Sequence, residues 1–166
     1  MTFMKTIVFL SALLFCIHGH AQLKTAVKCP DLNIDILSGT VNKKILPSST
    51  VGQIKFIIPC FTSFAEDSTT TGCGGNVMYK DKDVYFYTSR DYVEIGPSFK
   101  GTLSLPLMGA KRNSLFRLLG APQLKDPGWD AFQTQYGVLI LYYDKAEKVN
   151  KIQFSTQTAN TIQLCQ

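Results

Sequence analysis

Gln135-Tyr136-Gly137-Val138-Leu139-Ile140-Leu141-Tyr142-Tyr143, the polar turn Asp144-Lys145-Ala146-Glu147-Lys148 and the run Val149 to Thr156 decide the fold. The first arm is a continuous apolar run of strand length, rich in β-branched and aromatic residues, and the second alternates through Ile152 and Phe154. The pattern predicts a β-hairpin. A shorter version occurs earlier, where Asn76-Val77-Met78-Tyr79 and Val84-Tyr85-Phe86-Tyr87-Thr88 flank Lys80-Asp81-Lys82-Asp83.

Working outward, Asp31 to Leu37 alternates and predicts a strand with Leu32, Ile34 and Ile36 on one face, ended by Ser38-Gly39. Ser48-Ser49-Thr50 can cap a short helix with Val51, Ile54, Ile57 and Ile58 on its inner face, Phe56 off that stripe and Pro59 as the stop. Phe61 to Gly75 reads as a loop, and Tyr92-Val93-Glu94-Ile95 as a strand before Gly96-Pro97. Thr102 to Leu107 alternates again. Ala110 to Leu119 predicts a second helix that buries Leu115, Leu118 and Leu119 and stops at Gly120-Ala121-Pro122. Trp129 and Phe132 are placed on a loop after Pro127-Gly128, capping the core, and Thr161-Ile162-Gln163-Leu164 is read as a last strand.

Each half thus runs strand, short helix, loop, hairpin, strand, and several pairs keep a nearly fixed offset. Ile34 and Ile36 match Leu103 and Leu105, Phe86 and Thr88 match Phe154 and Thr156, and Val93 and Ile95 match Ile162 and Leu164. The expected fold class is α+β, with two similar units, about 29–97 and 98–166, each a short helix packed on an antiparallel sheet, side by side.

The amino terminus sets the compartment. Residues 1–21 carry Lys5, an apolar core from Ile7 to Ile17 and the end Gly19-His20-Ala21, with small residues three and one positions before a cut. This is the layout of a secretory signal peptide, too short in its apolar run to span a bilayer comfortably. Residues 22–166 are then a single exported domain, in the periplasm or outside the cell. A lipid anchor on Cys16 is disfavoured because Phe15 stands where a small residue is needed.

Removing this segment also removes His18 and His20, the two histidines of the chain. That excludes Ser-His-Asp and Cys-His catalysis and histidine-ligated metal sites in the mature chain. No cofactor or metal motif stands out. The net charge of +5 falls to +4 with the loss of Lys5, and the basic residues are dispersed, without the stripe that nucleic acid requires. Losing Cys16 leaves Cys29, Cys60, Cys73 and Cys165, an even number that predicts two disulfides. Three connectivities exist. The favoured one joins Cys60 to Cys73 across a short local loop and Cys29 to Cys165 across the ends of the chain.

Leu115-Phe116-Arg117-Leu118-Leu119-Gly120-Ala121-Pro122, Tyr136 to Asp144, and Lys148-Val149-Asn150-Lys151-Ile152 together resemble the repeat unit of the β-lactamase-inhibitor-protein-like and SmpA/OmlA (BamE-like) clan. Such units read as a helix ending in leucine-glycine-x-proline, then a hairpin with an aspartate-containing turn before a valine-x-x-isoleucine strand. The resemblance covers residues 103–156 well and the first half poorly. It implies a tandem clam whose concave face grips another protein, and a disulfide between Cys60 and Cys73 closing a helix-to-strand loop fits it. The second half lacks such a cysteine pair, and the BamE-like members are lipoproteins.

If the helices cover one face of the sheet, alternation sends Tyr85, Tyr87, Tyr92, Glu94, Lys151, Gln153 and Gln163 to the other. Of these, Tyr85, Tyr87, Tyr92, Glu94, Lys151 and Gln153 are the expected partner-binding residues, with the tyrosines as anchors on another protein. The bland reading is cross-strand aromatic pairing on a solvated sheet. The function expected is a protein-binding module, of inhibitor or immunity type, and not an enzyme. The alternatives are an envelope assembly or structural protein, as the BamE-like side of the resemblance implies, and a histidine-free glycan hydrolase. Asp91 with Glu94, and Asp126 with Asp130, are the nearest acidic pairs for the last of these, and surface charge explains them more simply.

Overall fold

Both hairpins form where the sequence places them, and they build the sheet on which the rest packs. The computed structural model describes residues 28–68 and 73–165, so the expected signal peptide at 1–21 lies outside the described residues. The elements are β1 (Asn33–Asp35), β2 (Thr40–Val41), α1 (Val51–Ile57), β3 (Ser63–Ala65), β4 (Asn76–Tyr79), β5 (Val84–Tyr87), β6 (Tyr92–Ile95), β7 (Thr102–Leu103), α2 (Arg112–Leu119), β8 (Leu124–Lys125), β9 (Trp129–Gln133), β10 (Val138–Tyr143) and β11 (Val149–Ser155). An eight-stranded sheet runs β3-β4-β5-β6-β11-β10-β9-β8, and all its neighbours are antiparallel. A three-stranded sheet, β2-β1-β7, pairs β1 parallel to β7. The fold is α+β.

Local chemistry fixes each turn and helix start. Asp144 Oδ1 accepts from the backbone N–H groups of Ala146 and Lys148 at 2.8 and 2.9 Å, which folds the chain back between β10 and β11. Thr50 accepts from the Gln53 N–H while the Gln53 side chain accepts from the Thr50 N–H, a reciprocal cap on α1. Helix α1 then buries Val51 and Ile54 and leaves Phe56 86% exposed, as its stripe predicts. Burial of the two aliphatic side chains stabilises by roughly 1.5–3 kcal/mol each.

One face of the large sheet carries the main core. Val77, Val84, Phe86, Val93, Ile95, Leu139, Leu141, Ile152 and Phe154 lie there in one cluster with Leu32, Ile34 and Ile36 of the small sheet, Val51 and Ile54 of α1, and Leu115 of α2. Tyr79 reaches across this layer and donates to the Ile58 carbonyl at 2.6 Å, tying β4 to the end of α1. A second, smaller cluster forms on the opposite face, where Ala131, Val138 and Ile140 meet Trp129, Tyr142, Ala159, Ile162 and Leu164.

Several expectations are corrected. Trp129 and Phe132 belong to strand β9 rather than a loop, with Phe132 in the main core and Trp129 on the other face. Thr161 to Leu164 is not a strand. It belongs to a C-terminal strap, residues 156–165, that crosses the second face without joining the sheet. The residue matches of Val93 and Ile95 with Ile162 and Leu164 therefore fall away. Helix α2 starts at Arg112 and turns Leu115 and Leu119 to the core while Leu118 is 50% exposed. Positions three and four after Leu115 flank its face on either side, and the packing of α2 takes Leu119 to the core and leaves Leu118 toward solvent.

The cysteine pairing is also corrected, to Cys29 with Cys60 and Cys73 with Cys165, each at a Cα–Cα distance of 5.6 Å. The supposed loop between Cys60 and Cys73 contains edge strand β3, which runs antiparallel to β4 with Ser63 opposite Met78 and Ala65 opposite Asn76. Cys60 therefore sits toward the far end of β4 and Cys73 just before its start, beyond the reach of one disulfide. Cys60 instead meets the segment leading into β1, and Cys73 meets the end of the strap.

Candidate protein-binding face

The face opposite the main core is built by alternation on four neighbouring strands. Pairing places Tyr85 opposite Glu94, Glu94 opposite Gln153 and Gln153 opposite Ile140, so one row crosses β5, β6, β11 and β10. A parallel row sets Tyr87 opposite Tyr92 and Tyr92 opposite Ser155. All six residues expected on this face do lie on it.

Within it, Glu94 is the hub. Its Oε2 accepts from the Gln153 side-chain amide at 2.6 Å and lies 3.7 Å from Lys151 Nζ. Gln153 Oε1 in turn accepts from the Tyr142 hydroxyl at 2.7 Å, and Lys151 Nζ sits 4.1 Å from the centroid of the Tyr142 ring. Four side chains thus fix one another through two hydrogen bonds, one ion pair and one cation–π contact. Tyr87 and Tyr92 stack with centroids 4.5 Å apart and planes 19° from parallel. Tyr85 donates to Asp83 Oδ1 at 3.1 Å.

The strap divides this face into a covered and an open part. Tyr92 and Gln153 are 0% and 1% exposed, so neither is free to meet a partner, which corrects their expected role. Gln153 is enclosed by its bonds to Glu94 and Tyr142, and the burial of Tyr92 has a plain cause in the strap. The Cys73–Cys165 disulfide draws the strap across the sheet, the Cys165 N–H donates to the Tyr92 hydroxyl at 3.0 Å, and Arg90 Nη1 donates to Gln163 Oε1 at 2.5 Å. Gln163, expected on a strand of this face, instead anchors the strap. Tyr85, Tyr87, Glu94 and Lys151 remain partly exposed beside it.

Burial governs the electrostatics of the phenols. It raises the pKa of Tyr85 and Tyr87 above the ordinary tyrosine value, helped at Tyr85 by its hydrogen bond to Asp83 and at Tyr87 by the charge of Glu94. Tyr142 is pushed up to about 12 by burial and then by Glu94. At neutral pH these groups are neutral donors, suited to recognition rather than to proton abstraction. Among the described residues no group of three or more His, Cys, Asp or Glu side chains is placed to hold a metal ion.

Comparison with protein-family models, curated proteins and solved structures finds no match. The site must therefore be read from its own geometry. No helix among the described residues is long and apolar enough to cross a membrane.

Two features of the site were missed in the sequence. Tyr142 is not among the residues that alternation sends to the second face, yet it stands there and joins the Glu94 cluster. Its signal was the unbroken apolar run of β10, since a strand apolar at every position is buried on both faces and something must cover the second. The other feature is the ion pair of Arg112 and Asp130. Arg112 Nε and Nη2 donate to the two Asp130 oxygens at 3.0 and 2.5 Å, Tyr143 donates to Asp130 Oδ2 at 2.8 Å, and the guanidinium also donates to the carbonyls of Asp126 and Pro127. These satisfied bonds lock α2 to β9, and no spacing in the sequence announces them.

Proposed function

We propose that this chain is an exported protein-binding module of inhibitor or immunity type, which grips another protein through the open part of the second sheet face. The observation that carries this reading is the set Tyr85, Tyr87, Glu94 and Lys151, half-exposed together beside the strap and held by Asp83, Gln153 and Tyr142. Side chains fixed before binding lose little entropy on contact, and tyrosine supplies contact area with a polar tip. Two disulfides support an oxidising compartment, as the amino-terminal pattern implies.

A helix followed by a four-strand meander occurs before and after residue 97, preceded by β1 and β2 in the first case and by β7 alone in the second, and the two meanders join at β6 and β11. This order supports two tandem units of the β-lactamase-inhibitor-protein-like kind, about 29–97 and 98–166, forming one face. The equivalence it suggests sets β5 against β10 and β6 against β11, rather than β6 against the strap.

The test is recovery of partners from an envelope extract by the wild-type chain, by Tyr85→Ala/Tyr87→Ala, and by Phe56→Ala on the far side of the molecule. Loss of a specific partner in the double variant alone supports the reading. Equal recovery by all three removes this face from consideration.

A further inference from the structure

We propose that the cleft between the C-terminal strap and the outer face of β8 to β10 binds a small, uncharged aromatic molecule. This cleft lies on the same sheet face under the strap and shares Tyr142 with the Glu94 cluster, but it does not rest on the reading of the open tyrosine face. The cleft holds about 230 Å³ and is partly open to solvent, with Leu124, Trp129, Ile140 and Tyr142 on the sheet side and Ile162 and Leu164 on the strap side.

The gap exists because the strap is held at both ends. At its start the Gln157 N–H donates to Ser155 Oγ at 3.0 Å, and the Gln157 side-chain amide reaches Asp91 Oδ2 at 3.4 Å. At its far end are the Cys73–Cys165 disulfide, the bond from Cys165 to Tyr92 and the bond from Arg90 to Gln163. Between these anchors Thr158 to Thr161 closes a turn of its own, with the Thr161 N–H donating to the Thr158 carbonyl at 3.1 Å. The strap lies on the sheet through Ala159, Ile162 and Leu164, which pack against Ala131, Val138 and Ile140 yet stay only partly buried, so a cleft remains open beside them.

The lining selects the ligand. Every residue around the cleft is apolar or aromatic. The lining itself holds no charged group to replace the hydration of an ionised ligand, and the nearby cation, Lys151 over the Tyr142 ring, is already paired with Glu94. The Tyr142 hydroxyl is already given to Gln153 and Lys151 covers one side of its ring, which leaves the remaining ring surface that lines the cleft to meet a ligand. Water needs two to four polar partners to be held, whereas an apolar cavity of about 150 Å³ accepts benzene. The larger volume here suits a bicyclic ring, and the rings of Trp129 and Tyr142 offer it edge and face contacts.

Trp129 is the chain's single tryptophan and reports on the site directly. The disulfide-bonded mature chain is titrated with 2-naphthol, and with 2-naphthalenesulfonate as its charged counterpart, by calorimetry and by Trp129 emission. The expected result is saturable binding of one naphthol per chain with a shift in Trp129 emission, and at least tenfold weaker binding of the sulfonate. Ala159→Leu, which fills the cleft from the strap, and Leu124→Asp, which sets a charge at its exposed rim, each weaken naphthol binding at least tenfold. Circular dichroism of both variants verifies the fold. Absence of saturable binding, equal affinity for the sulfonate, or undiminished binding by both folded variants overturns the assignment.

Discussion

The backbone N–H of Cys165 donates to the hydroxyl of Tyr92 at 3.0 Å, a bond that joins the last described residue of the chain to the middle of the sheet. Tyr92 is wholly buried beneath the strap and stacked on Tyr87. A residue that sequence alternation assigns to a binding surface is therefore part of the protein's own packing.

Tyr92→Phe keeps the ring and removes the acceptor, leaving the Cys165 N–H without its partner. The expected cost is about 1–3 kcal/mol in urea unfolding. Tyr85→Phe, which removes a partly exposed bond to Asp83, is expected to cost less than about 1 kcal/mol. The pair separates the tyrosine buried beneath the strap from one on the open part of the face.

Non-reducing peptide mapping is expected to recover Cys29 linked to Cys60 and Cys73 linked to Cys165. With sequence separations of 31 and 92, chain-entropy arithmetic gives about 3.7 and about 4.6 kcal/mol for the two bonds. The Cys73→Ala/Cys165→Ala variant is therefore expected to lose more stability than Cys29→Ala/Cys60→Ala. It also frees the strap, which proteolysis after residue 156 would detect.

Arg112→Ala leaves Asp130 buried with one neutral donor, Tyr143, and is expected to destabilise by about 3–5 kcal/mol. Arg112→Met/Asp130→Leu removes both charges and is expected to recover most of that loss. A double-mutant cycle in urea measures the coupling.

Alkaline pH provides a test of tyrosine burial. Burial holds the folded-state pKa of Tyr142 at about 12, and it raises Tyr79, Tyr92, Tyr136 and Tyr143 as well. Between the unfolded value of 10.0 and these raised values the folded chain binds more protons than the unfolded chain, so stability falls as pH rises. Each fully protected phenol contributes a slope of about 1.4 kcal/mol per pH unit in that window, and none below it. Urea midpoints are expected to hold from pH 7 to 9 and to drop above pH 10, with phenolate absorbance rising together with unfolding.

Much of the fold is legible in the sequence because its signals are local. Turn chemistry at Asp144, the cap at Thr50 and the alternation of Val84 to Tyr87 each involve residues a few positions apart, and the described elements start and stop at those signals. Alternation also assigned Tyr85, Tyr87, Glu94 and Lys151 to one face, because side chains on a strand point to opposite sides in turn.

The sequence by itself determined the hairpins, the two helices and which side of the sheet the alternating residues of β5, β6 and β11 face. Only the tertiary structure decided what covers each side and which cysteines meet. Alternation distinguishes the two faces of a strand but carries no information about a distant segment lying on one of them, so Tyr92 and Gln153 read like Tyr85. Cysteine pairing depends on where antiparallel strands deliver their ends, and β3, hidden in an apparent loop, carried Cys60 away from Cys73 and left Cys73 for Cys165.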